Sequence, residues 1–140
     1  MNAEINNETW SAYPDAFETS VIAIEGSYYY QPSCRLEQVI TFIIPTKDGE
    51  FQVSNMVDSL TNKAKISFAY MDEDVLLGIY DVPEGKDNGF IKISNYDSST
   101  KRISGSFACS IYLKQNYELP PNHPDSLVIA NGQFDTYFRE

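Results

Sequence analysis

The chain has 140 residues, the size of one domain, and a chain of that length buries roughly two thirds of the surface that it exposes when unfolded. Its formal charge of −10, with only ten Lys and Arg and those scattered singly, argues against nucleic acid or an anionic membrane as partner, because such binding draws its affinity from clustered basic side chains. Ten Tyr, eight Phe and one Trp, together with frequent Ile, Val and Thr, suit a pleated, half-buried surface better than a helix, so the expected class is all-β.

In chain order, residues 1–12 open with an Asn-rich polar run and read as a flexible segment ahead of a single β domain spanning 13–140. Residues 1–9 carry neither a positive charge nor an apolar run, so they do not read as a signal peptide. No stretch approaches the roughly 20 apolar residues of a membrane-spanning helix. The location expected is therefore the cytoplasm, or the cell envelope if an export signal precedes Met1. Residues 17–30, apolar over 21–24 and aromatic over 28–30, read as a strand on either side of Gly26, with a bulge or bend at the glycine. A strand follows over 36–44, ended by Pro45. Asp48-Gly49 then supplies the positive φ of a tight hairpin, with 51–53 as its return strand.

Residues 55–63 hold the only helical spacing, Met56, Val57 and Leu60 behind a capping Asn55, and predict one short helix. Residues 65–71 alternate, with Ile66, Phe68 and Tyr70 on one face; Asp72-Glu73-Asp74 interrupts, and 75–80 resumes as a strand. After a loop over 81–88, a strand over 89–95 turns through 97–100 into a longer one over 103–113. The proline-bearing loop 115–125 leads to a last strand, 126–138. Within it Asn131-Gly132 predicts a bulge or tight turn that aims Phe134 into the core, and in the preceding strand Gly105 leaves room for a neighbouring ring or backbone. About eight short strands joined by turns predict an antiparallel β-sandwich or a small β-barrel.

Nothing in these segments has the spacing of a catalytic, metal or nucleotide motif, and no cofactor is expected. The single histidine, His123, reads as a solvated loop residue. Cys109, in phase with Ile103, Phe107 and Ile111, reads as a buried free thiol; a bridge to Cys34 is the alternative and requires Cα atoms within about 7 Å. A zinc site needs three or four Cys and His ligands, and the whole chain has three such residues. The acidic groups Asp72-Glu73-Asp74 and Glu84, Asp87, Asn88 lack the spaced ligand loop of a calcium site. The best hints of recognition are Tyr28, Tyr29 and Tyr30, whose rings alternate between the two faces of a strand so that at least one meets water. An exposed ring is a stacking platform for a sugar or an anchor at a protein interface. Glu84 and Asp87 in the first long loop and Tyr117 in the second complete the candidate contacts.

The runs Gly89-Phe90-Ile91-Lys92-Ile93, Asp97, Ile103-Ser104-Gly105-Ser106-Phe107 and Val128-Ile129-Ala130-Asn131-Gly132-Gln133-Phe134 resemble the C-terminal half of uncharacterised lipoprotein-type β domains of Bacteroidota. The resemblance covers about 50 residues well and 13–80 loosely. It implies an exported, lipid-tethered sandwich or barrel-like domain of the cell envelope. It carries over no catalytic residue, and no lipid-acceptor cysteine stands near the N-terminus of this chain. The function expected is a non-enzymatic binding module with a protein or glycan ligand; the alternative is an acidic inhibitor or immunity-type protein that binds a basic partner.

Overall fold

The computed structural model describes residues 1–18, 20–30, 35–86 and 88–139. Among them the chain forms strands and no helix: β1 (Asn2–Ile5), β2 (Glu8–Ser11), β3 (Tyr13–Glu18), β4 (Ile22–Tyr30), β5 (Arg35–Ile44), β6 (Gly49–Ser54), β7 (Lys63–Asp72), β8 (Val75–Asp81), β9 (Gly89–Asp97), β10 (Arg102–Asn116) and β11 (Ser126–Arg139). The all-β class expected from composition is what the structure has, with eleven strands in one hydrogen-bonded sheet where about eight were expected. The order is β2-β1-β11-β3-β4-β5-β7-β6-β9-β10-β8, and two further pairings, β10 with β11 and β7 with β8, turn the sheet back on itself.

Period-two patterning explains where the core lies. Along β7, Ala64, Ile66 and Phe68 are buried while their neighbours are partly exposed, and along β10 the buried positions are Ile103, Phe107, Cys109 and Ile111. Sending alternate side chains inward lets each large apolar residue contribute roughly 1.5–3 kcal/mol by burial. In β11 the buried set changes parity, from Leu127 and Ile129 to Phe134 and Phe138. The change happens at Asn131, whose φ is 52°. There Phe107 pairs with Gly132 but Cys109 with Ile129, which leaves one extra residue on β11. Of the two forms expected at Asn131-Gly132, the bulge is therefore the one present, and without it Phe134 would face solvent. Gly105 does leave the expected room: a Cβ there would lie 2.2 Å from the Lys92 carbonyl oxygen and 2.7 Å from the Phe134 ring.

Several expectations are corrected. The N-terminal run is not a polar tail: β1 and β2 pair as a hairpin whose Ala3 and Trp10 are buried opposite each other. Asn6 and Asn7 turn it with φ of 51° and 67°, the two left-handed residues that a two-residue type I′ turn requires. Gly26 does not separate two strands but lies inside β4, paired with Pro14 and Ile40. The turn after Pro45 does not close a hairpin, because both edges of β5 are occupied by β4 and β7, and β6 pairs instead with β7 and β9. The sheet is not wholly antiparallel, since the β6–β7 and β3–β11 pairings are parallel. Residues 55–62 form no helix. The Asp58 carboxylate accepts from the Leu60 amide (2.9 Å) and the Thr61 hydroxyl (2.6 Å) to hold a turn, and Leu60 is 93% exposed. A short helix with no apolar face to bury has nothing to stabilise it.

The β9–β10 turn hangs on Asp97. Its carboxylate accepts from the amide and hydroxyl of Ser99 (2.9 and 2.6 Å) and from those of Thr100 (3.2 and 2.7 Å). These bonds hold the carboxyl well below the usual carboxylate range. A depressed folded-state value means that the anion stabilises the fold above the ordinary carboxylate value and that this contribution is lost as pH falls towards the folded value. Asp97→Ala is expected to melt below the parent at neutral pH, with the gap narrowing below about pH 4. Thermal melts of both chains over that range read it directly; solvent screening of an exposed group keeps the shift modest.

Candidate binding cleft

The N-terminal hairpin, β4, β5, β7 and the start of β11 enclose a cleft of about 390 Å³. Trp10 of β2 forms its inner wall. Its Nε1–H donates to Gln38 Oε1 at 2.7 Å, and its ring packs tilted against Phe68. Gly26 makes this possible, since a Cβ there would lie 2.7 Å from Met1 Sδ and 3.2 Å from Trp10 Cη2. Asn6 ties the hairpin turn to β11, donating its amide to the Val128 carbonyl (2.9 Å) and accepting from the Val128 amide through Oδ1 (2.8 Å). Tyr28 and Tyr70 bring two more rings to the cleft, and Glu8 and Glu37 bring two carboxylates.

Glu37 is there because β5 is irregular. Tyr28 pairs with Gln38 but Tyr29 with Leu36, so Glu37 is the extra residue of a bulge. A regular strand sends neighbours to opposite faces; here Glu37 and Gln38 line the same cleft.

Burial is felt in the groups behind the cleft. Tyr70, ringed by Phe68, Tyr80 and His123 at centroid distances of 5.2, 6.0 and 4.2 Å, has its phenol pushed up to about 12 by desolvation, with the Tyr80 hydroxyl and the Glu8 charge adding to it. It stays a neutral hydrogen-bonding group at physiological pH. Tyr80 donates its single proton to the Pro124 carbonyl at 2.5 Å. The 3.2 Å contact with His123 Nδ1 is therefore made by an Nδ1–H donating to the phenol oxygen. His123 is thus a packed member of this cluster rather than the solvated loop residue that the sequence suggested, and desolvation lowers its pKa.

The structure separates the residues singled out in the sequence. Tyr28 lines the cleft. Tyr29 points to the other face of β4, where it lies 6.2 Å from the exposed ring of Tyr13. Glu84 borders a different cavity of about 330 Å³ with Asp81, Tyr112 and Lys114. Tyr117 is exposed, its hydroxyl donating to Gln115 Oε1 at 2.9 Å. The Tyr30 side chain and Asp87 lie outside the described residues, as does Cys34. Cys109 is a free, buried thiol whose pKa burial pushes up to about 12. In a Cys34→Ser chain, Cys109 is expected to ignore a disulfide reagent such as DTNB at about pH 8 until denaturant is added; fast labelling of the native chain would contradict this burial.

Sequence reasoning missed Glu8, Trp10, Glu37 and Tyr70 as site residues. The one local signal for any of them was Asn6-Asn7, which marks a hairpin and so places Glu8 and Trp10. A larger depression, about 530 Å³, lies elsewhere and is lined by Ser94, Ser104, Ser106 and Asp135 among others. Its carboxylate is already held by Arg102 at 2.5 Å. No family model matches the chain, and neither a curated protein nor a solved structure does.

Proposed function

We propose that the chain is a non-enzymatic binding module of a bacterial cell-envelope protein and that its ligand contacts the cleft between the N-terminal hairpin and the bulge of β5. The observation that carries this reading is the convergence of Trp10, Tyr28 and Tyr70 with Glu8, Glu37 and Gln38 on one concave surface. Aromatic walls with a few polar groups that fix orientation are the usual make-up of a recognition site. The reading is supported further by Cys109 and His123, the described thiol and imidazole, of which the first is buried and the second is bonded to Tyr80. The return of the pairing at β7–β8 and β10–β11 favours a closed, barrel-like body over two stacked sheets. The lipid tether belongs to this proposal as well, and the genomic sequence upstream of Met1 tests it by showing or lacking a lipid-acceptor signal.

The immobilised protein should retain a component of envelope extracts, or bind on a glycan array, and Tyr28→Ala should abolish the signal. Capture that Tyr28→Ala leaves intact, or none at all, would remove the support for this site. The acidic-inhibitor reading is favoured by the charge of −10. It requires a basic protein as the retained component, with affinity falling steeply as salt rises.

A further inference from the structure

We propose that the cleft takes an alkylammonium group, from either an exposed lysine side chain of a partner or a free polyamine; this rests on the binding role proposed above. Glu8 on β2 and Glu37 on the bulge bring two carboxylates to one small volume, and among the described residues no lysine or arginine lines it. Among the described residues neither carboxylate has a cationic partner, unlike Asp135, Asp81 and Asp15, which are paired with Arg102, Lys114 and Arg139. The cleft thus presents two negative charges and, among its described lining, none of the opposite sign, which a bound cation would complement. A neutral ligand would strip their water and give no counter-charge in return.

The rest of the lining fits the same guest. The amide oxygens of Asn6 and Gln38 already accept from the Val128 amide and from Trp10, so the carboxylates are the main acceptors left for an ammonium's three donors. The rings of Trp10, Tyr28 and Tyr70 offer apolar surface to a methylene stem and π density to a cation. Glu8 lies within electrostatic reach of the half-buried Tyr70 phenol, whose pKa its charge helps to raise. The bulge supplies the second carboxylate, because an unbulged β5 would turn Glu37 away from Gln38.

Trp10 is the only tryptophan in the chain, so its fluorescence reports on the site itself. Titration with 1,5-diaminopentane, spermidine and an acetyl-capped trilysine amide is expected to give a saturable change in Trp10 emission, and 1,5-pentanediol, of equal length but uncharged, none. Glu8→Gln and Glu37→Gln should each weaken binding about fivefold, as loss of one nearby charge in a half-wet site predicts, whereas Glu50→Gln on β6 should leave it unchanged. Tighter binding of the peptide assigns the source to a protein lysine; tighter binding of spermidine assigns it to a free amine. Affinity untouched by the two cleft substitutions, or shared equally with the diol, would overturn the ammonium assignment. So would the absence of any saturable response. Maltotriose binding that Tyr28→Ala abolishes would do the same while leaving the binding-module reading in place.

Discussion

Gly89→Ala is expected to destabilise the protein by about 2–4 kcal/mol, the range in which backbone strain and overpacking act together. Gly89 opens β9 with φ of 117°, a region that side chains rarely adopt. A Cβ there would sit 2.2 Å from the Ala108 carbonyl oxygen and 2.5 Å from Cys109 Cα. Both are backbone atoms of the partner strand, so no rotamer change removes the contact, and relief requires β9 and β10 to part. Gly49 separates the two causes, because it too has a positive φ, 135°, yet a methyl group at that position would meet nothing within 4 Å. Gly49→Ala should therefore carry only the conformational penalty, about 1–2 kcal/mol. Denaturant unfolding of both variants measures the difference, and equal losses would show that the β9–β10 contact is not as close as described.

Phe107→Ala should cost about 3–5 kcal/mol, the usual consequence of removing a buried ring from a core that cannot fully collapse. Phe107 is buried to 1% exposure, with its ring 4.5 Å from that of Phe42 and 6.4 Å from that of Phe134. Its other side lies on Gly132, where a Cβ would come within 2.4–2.6 Å of three ring atoms. Gly132→Ala should cost about 1–3 kcal/mol through that overlap. The two effects share one space. The atoms nearest to a Cβ at 132 all belong to the ring, so the double variant should be less destabilised than the sum of the singles by about 1 kcal/mol or more. Strict additivity in the double-mutant cycle would contradict the packing of Phe107 over the bulge.

Much of the sheet was legible because a strand's period is two and its turns have their own chemistry. Ile66 and Phe68 in β7, and Ile103, Phe107, Cys109 and Ile111 in β10, announce a buried face without any knowledge of the partner strand. Asp97 marked a turn, and Asn131-Gly132 a bulge or tight turn, for the same local reasons. What failed was whatever depends on which strands meet. β1 and β2 are short and present little apolar surface beyond Ala3, Ile5 and Trp10, so their polar outer faces read as a tail. Met56 and Leu60 have helical spacing but nothing to pack on. Asp48-Gly49 looks like a hairpin turn, yet β5 is already paired on both edges. The cleft was hidden for both reasons: Trp10, Tyr28, Glu37 and Tyr70 are remote in sequence and share no motif. Glu37 also reaches the cleft through a bulge that breaks the parity on which a reading of the strand relies.

Everything proposed for the cleft depends on the N-terminal hairpin being docked so that Trp10 lies against Gly26, Gln38 and Phe68. The intrinsic fluorescence of the native chain tests this most directly, because it holds a single indole and that indole is only 6% exposed. The expected result is blue-shifted emission that acrylamide quenches weakly, both reverting to the behaviour of free indole on unfolding. Red-shifted, freely quenched emission from the folded protein would mean that the segment is a tail after all, and that the cleft does not exist.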